Sequence, residues 1–267
     1  MLAGDINVQD TDRVEQAKKL AAGPLGEVLS KFPLLFAKVA FFGERPTTSQ
    51  PARINNGTIS LVELGNGPLG LTCHHVLKEY RKVRDTTPGV IFQIGNVELD
   101  PVEQLIDENQ RLDLATIRLT DNQVAAITSE EELGSCVFQP RSWPPPLPTP
   151  GEYVAFGGYP GSLRTVVSFA QLDFFSWSSG ASLVSSGSDW QFVSAFQREY
   201  WVTSFAAKHQ LDLRDLGGMS GGPAFINRGL YWDLVGLVSE YHEHYDAMFF
   251  ASLRAVRADG TIESPPV

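Results

Sequence analysis

The chain has 267 residues, 43% hydrophobic and 19% charged, with 24 Gly and 17 Pro, enough to bury a large core as one domain or two smaller ones. A formal net charge of −10 with no Lys/Arg run argues against a nucleic-acid partner, and no apolar stretch approaches the roughly 18 residues of a membrane-spanning helix. Two cysteines are too few for a disulfide framework, and Met1–Ile6 lacks the basic and apolar regions of a signal peptide, so a cytoplasmic location is expected.

Residues 11–31 carry an amphipathic helical pattern through Val14, Ala17, Leu20 and Ala21, broken at Gly23-Pro24, with a second short helix continuing to Lys31. Phe36–Phe42 is the first strand-like run, and strand-sized segments recur at 57–64, 68–73, 90–94 and 112–119. Between 140 and 150 six of eleven residues are proline, which excludes a central strand or helix interior and predicts a stiff connector. Strand-like runs resume at 153–157, 164–175, 199–205, 231–239 and 247–252. Two sets of short strands about a proline-rich linker imply two antiparallel β units.

The chemistry concentrates in Gly217-Gly218-Met219-Ser220-Gly221-Gly222-Pro223. A serine among glycines lets backbone N–H groups approach whatever the hydroxyl attacks. A hydroxyl is a poor nucleophile until a base takes its proton, and Thr72-Cys73-His74-His75-Val76 supplies an imidazole. Leu112-Asp113-Leu114 supplies a carboxylate to hold that imidazole in one tautomer. The order His75, Asp113, Ser220, with gaps of 38 and 107 residues, is the one a two-barrel serine protease requires. The amides of Gly218 and Ser220 would form the oxyanion hole.

Gly218–Pro223 resembles the G-x-S-G-G-P motif of trypsin-like, chymotrypsin-fold serine proteases. Thr72–Val76 resembles the T-A-x-H-V form found in bacterial members of HtrA type, an alignment that selects His75 over His74. Arg111–Ile117 is similar to the strand carrying the orienting aspartate, and Gly157–Gly161 resembles the G-Y-P-G turn opening the second barrel. Leu234–Ser239 matches the strand beside bound substrate, which implies that Ser239 lies near Asp113 and that Glu240 and Tyr241 border the cleft. The resemblance, spanning about 57–254, also implies that Arg214, six residues before the serine, lines the specificity pocket. If Arg214 points inward an acidic substrate side chain is favoured, and if Asp215 does a basic one is.

Where digestive members place an aspartate before the serine this chain has Met219, which argues against activation by N-terminal cleavage. The chain ends soon after its last strand, so no C-terminal peptide-binding PDZ domain is expected. An α/β-hydrolase elbow also fits Gly218–Gly222, but only 47 residues follow Ser220, too few for the remaining strand–helix units. His242-Glu243-His244 reads as a polar loop rather than a metal site, Cys73 as a small buried filler, and the paired Phe residues at 174–175 and 249–250 as barrel packing.

The expectation is an all-β chain of two six-stranded antiparallel β-barrels with a short N-terminal helical segment. Residues 1–35 form the extension, 36–139 the first barrel with His75 and Asp113, 140–150 the linker, 151–256 the second barrel with Ser220, and 257–267 a tail. The expected activity is peptide-bond hydrolysis by a serine endopeptidase with no cofactor or metal, a polypeptide substrate, and a regulatory or sensor protein as a further partner. The alternative is a latent or silent protease-fold module that binds peptides in the inter-barrel cleft.

Overall fold

The computed structural model describes residues 15–16, 18–19, 22–45, 54–129, 136–168, 171–195 and 215–265. Helix α1 (Pro24–Lys31) begins with proline in its first turn and ends in a 3-10 turn, Phe32–Phe36. Strands β1 (Ala37–Glu44), β2 (Ile54–Glu63), β3 (Pro68–Thr72), β4 (Val90–Ile94), β5 (Val97–Glu98), β6 (Leu105–Asn109) and β7 (Leu114–Arg118) follow. They pair as one antiparallel sheet in the order β5-β4-β1-β2-β3-β7-β6. The expected first barrel of six strands is thus a seven-stranded sheet whose ladder stays open between β5 and β6. With two residues, β5 is too short to carry the pairing around.

Two helices enter this half that the strand-based expectation lacks. Helix α2 (His74–Thr86) buries Val76, Leu77 and Tyr80 against the sheet. Helix α3 (Asp121–Thr128) starts at a capping box, with the Thr120 hydroxyl accepting from the Gln123 amide and the Gln123 side chain accepting from the Thr120 amide.

The second half is a closed barrel of β11 (Trp177–Gly187), β12 (Gln191–Ala195), β15 (Ala247–Ser252), β14 (Trp232–His242), β13 (Pro223–Asn227) and β8 (Tyr153–Gly158), in that order. The single run expected over 164–175 is a separate hairpin of β9 (Arg164–Ser168) and β10 (Gln171–Phe174). The run at 199–205 lies outside the described residues. The proline-rich segment contains no strand and is fastened to the chain's end, where Trp143 Nε1 donates to the Val256 carbonyl at 2.6 Å.

The two halves share a core. Phe225 on β13 is fully buried and packs edge-on against Phe32 and Phe138 at 5.1 and 5.0 Å, with Phe36 at 5.4 Å. Burying one such ring is worth roughly 2–3 kcal/mol. Because Phe32 and Phe36 come from the 3-10 turn, the segment that leads into β1 is itself part of the contact between the halves.

Candidate active site

β3 pairs β7 antiparallel, with Leu71 opposite Thr116 and Thr72 opposite Ala115. Continuing that register past both strand ends brings residues 74 and 113 together. There the chain turns from β3 into α2, whose N-cap is Cys73, a residue that makes no side-chain capping bond. Asp113 fills that role from outside the helix. Its Oδ1 accepts from the His75 amide at 3.0 Å, satisfying one of the free N–H groups of the first helical turn. Asp113 itself has φ 55°, the left-handed conformation that aspartate tolerates better than most residues, and that kink turns its carboxylate toward the helix start.

The same carboxylate lies 2.9 and 3.0 Å from His75 Nδ1, and its Oδ2 accepts from the Ser239 hydroxyl at 2.7 Å. Burial pushes the Asp113 carboxyl upward. The hydrogen bonds and charge of His75, with the Ser239 hydroxyl, outweigh burial and hold it below the ordinary carboxylate range. An ionised carboxylate only accepts, so Nδ1 carries the imidazole proton and Nε2 is the lone-pair nitrogen.

The turn bearing Ser220 is clasped by the first half. Thr58 on β2 donates its amide to the Ser220 carbonyl at 2.9 Å and its hydroxyl to the Gly218 carbonyl at 2.9 Å. The Ser60 hydroxyl donates to the Gly221 carbonyl at 2.8 Å. Gly218 and Gly221 have φ of 98° and 91°, and a Cβ on Gly221 would lie 2.1 Å from the Thr58 carbonyl oxygen. The Gly217 carbonyl is held by the Gly161 amide at 2.6 Å and the Met219 carbonyl by the Gly222 amide at 2.8 Å. In a planar trans peptide N–H opposes C=O, so these bonds turn the Gly218 and Ser220 amides the other way. Among the described residues neither amide donates to a protein acceptor. Met219, beside the serine, is fully buried in the barrel core.

His75, Asp113, Ser220 and Ser239 line one cleft of about 420 Å³, together with Asp215, Leu216, Glu240, Tyr241 and Met248. The Ser220 hydroxyl donates to the Ser239 carbonyl at 3.1 Å, and Tyr241 donates its hydroxyl to Asp246 at 2.8 Å. Arg214 lies outside the described residues. His242 pairs with Glu240 at 3.3 Å and its ring meets Phe249 at 4.9 Å. His74 faces Glu108 at 3.2 Å, which Arg81 also binds at 2.8 Å. Sequence reasoning did not find Thr58 and Ser60, which clasp the turn, or Met248 at the back of the cleft. The polar residues Asn55, Asn56, Thr58 and Ser60 in the first part of β2 are the signal for the first two.

A closed antiparallel barrel beside a second antiparallel sheet, with His75 and Asp113 on one and Ser220 on the other, is a chymotrypsin-like fold. The family model of the trypsin-like peptidase domain matches residues 39–237, and the chain belongs to that family of peptidases. No curated protein matches the sequence. Among solved structures, the active form of the Rv3671c protease from M. tuberculosis is 13% identical, with 86% of this chain and 82% of that chain covered and a TM-score of 0.44. The thermostable serine protease AL20 from an extremophilic microorganism is 15% identical, with 82% and 91% covered and a TM-score of 0.44. The tobacco vein mottling virus protease is 13% identical, with 80% and 76% covered and a TM-score of 0.39.

Proposed function

We propose that the chain is a serine endopeptidase in which Ser220 is the nucleophile, His75 the general base and acid, and Asp113 the group that orients His75. The observation carrying this reading is the unbroken line from the Ser239 hydroxyl through Asp113 to His75 Nδ1, ending in the cleft that Ser220 also lines. His75 Nε2 takes the Ser220 proton as Oγ bonds to the scissile carbonyl carbon. The carbonyl oxygen becomes an oxyanion held by the Gly218 and Ser220 amides. His75 then gives that proton to the leaving amine as the C–N bond breaks, and a water repeats the sequence to free the acyl group. In the resting chain the Ser220 hydroxyl sits on the Ser239 carbonyl, so a rotation about its Cα–Cβ bond precedes attack.

Asp215 and Glu240 place negative charge on the cleft, which supports a polypeptide substrate presenting a cationic side chain. The reading of a latent or silent module gains nothing from the described N-terminal residues. Helix α1 packs on β11 and β8, and no described residue before Ala37 lines the cleft.

The test is covalent labelling by a fluorophosphonate probe. The native chain is expected to label and the Ser220→Ala and His75→Ala variants to lose labelling. Equal labelling of all three would defeat the assignment.

A further inference from the structure

Cys73 and His75 are two residues apart at the start of α2, and Asp113 reaches them from the start of β7. The Cys73 Sγ, a His75 ring nitrogen and an Asp113 oxygen all lie within 4.8 Å of one another. Thiolate, imidazole and carboxylate are the three donor types that zinc-class ions take. Tetrahedral bonds of about 2.0–2.3 Å set ligand atoms roughly 3.5 Å apart, so an ion would draw together three donors that already lie within 4.8 Å of one another. Among the described residues it is the one place where three such donors converge. We propose that Cys73, His75 and Asp113 form an inhibitory site for a zinc-class divalent cation, with the cleft supplying water as a fourth ligand.

Charge balance supports the site. Cys73 is fully buried, with its thiol donating to the Val238 carbonyl at 3.2 Å and the Asp113 carboxylate beside it. Without a cation a second negative charge there is strongly disfavoured. With one, a carboxylate and a thiolate carry two negative charges against two positive, and the imidazole stays neutral. The Cys73 S–H bond breaks, its proton leaves to solvent, and a sulfur–metal bond forms. His75 Nδ1 gives up its hydrogen bond to Asp113 and binds the metal through its lone pair, while the ring proton moves to Nε2. No oxidant or reductant is involved, and one proton is released per ion bound.

The functional consequence rests on the reading of His75 as general base. An imidazole bound through Nδ1 and protonated on Nε2 can no longer accept the Ser220 proton. The same residues that activate the serine would therefore silence it when the ion binds, and Cys73, which has no part in the proposed hydrolysis, is what makes the set a metal site.

The experiment titrates the full chain, freed of metal by a chelator, with cobalt(II) as a spectroscopic probe and zinc as competitor. A cobalt–thiolate charge-transfer absorption is expected in the native chain, abolished by zinc and absent from Cys73→Ala and Cys73→Ser. Removing the thiolate should weaken zinc binding by at least the about 10–100-fold that loss of an outer partner alone produces. Fluorophosphonate labelling, compared with and without zinc within each variant, should slow about tenfold or more in the native chain and stay within about twofold in the two variants. Circular dichroism of both variants checks that they fold. Absence of the cobalt–thiolate band, or equal zinc binding in a folded Cys73 variant, overturns the site. A band in a chain that never labels leaves the metal site standing and removes the hydrolase reading, whereas labelling without a band does the reverse.

Discussion

Asp113 holds His75 at two points, accepting from its backbone amide at 3.0 Å and facing its ring Nδ1 at 2.9 Å. The first bond belongs to folding, since it caps a helix whose own N-cap residue makes no side-chain bond. The second belongs to chemistry, since it sets the tautomer. One carboxylate thus ties the position of α2 to the protonation pattern of the imidazole it carries.

Replacing Asp113 by Asn separates the two. An amide can still accept one hydrogen bond, yet its NH₂ group opposes the Nδ1 proton, so the ring is driven toward the wrong tautomer. Labelling by fluorophosphonate should slow by about 10⁴-fold. Stability should fall by only about 1 kcal/mol, because the amide oxygen still accepts from the His75 amide and only the charge on that bond is lost, read by chemical denaturation. A labelling loss under about tenfold would take the orienting role away from Asp113.

Gly221 and Gly229 have nearly the same φ, 91° and 89°, but different surroundings. A Cβ on Gly221 would strike the Thr58 carbonyl oxygen, whereas one on Gly229 meets nothing within 4 Å. Gly229→Ala should cost only the conformational strain, about 1–2 kcal/mol. Gly221→Ala should cost about 4 kcal/mol or more, since the clasp between the halves must open. Equal denaturation midpoints for the two variants would mean that the clasp contributes little.

The site was legible in sequence where chemistry demands particular residue types in order. Ser220 among glycines, His75 after β3 and Asp113 before β7 were each singled out by a motif, and the structure brings the three to one cleft. What periodicity could not reveal was structure built from small polar residues. β11 reads Trp177-Ser178-Ser179-Gly180-Ala181-Ser182, without an apolar alternation, yet Ser182 and Ser194 are buried because their hydroxyls bond each other at 3.0 Å. Helix α2 was hidden differently: six of its 13 residues are charged, and Val76, Leu77 and Tyr80, with Val83 partly buried beside them, mark the inward face. The open seven-stranded ladder of the first half depends on the two-residue strand β5, shorter than any pattern can register.

Glu108 gives a pH-dependent prediction. Burial acts to raise its carboxyl, but the bonds and charge of Arg81, assisted by His74, hold it below the ordinary carboxylate range. A depressed pKa contributes stability above the unfolded-state value near pH 4.3 and loses it as pH falls through the lower folded value. Glu108→Gln should therefore destabilise the chain by about 1 kcal/mol near neutral pH. The difference should close once acid has protonated the native residue, followed as denaturation midpoints across an acid series. A gap that persists unchanged into that acid range would rule out the ion pair as its source.

Asp215 decides the proposed substrate preference. It lines the cleft near Ser220, and its Oδ1 accepts from the Gly217 amide at 3.2 Å, so the carboxylate is tethered beside the turn it would serve. An exposed tether of this kind is worth less than a buried charge pair, which keeps the expected effect modest. Asp215→Asn should lower kcat/KM about fivefold for peptides with Arg or Lys at the cleavage site and leave neutral peptides nearly unchanged. Asp215→Lys should reverse the order, moving preference toward acidic side chains through like-charge exclusion of basic ones. Matched peptide sets differing at that one position supply the comparison. A uniform loss across basic, neutral and acidic peptides would assign Asp215 to the geometry of the Gly217 turn, not to recognition.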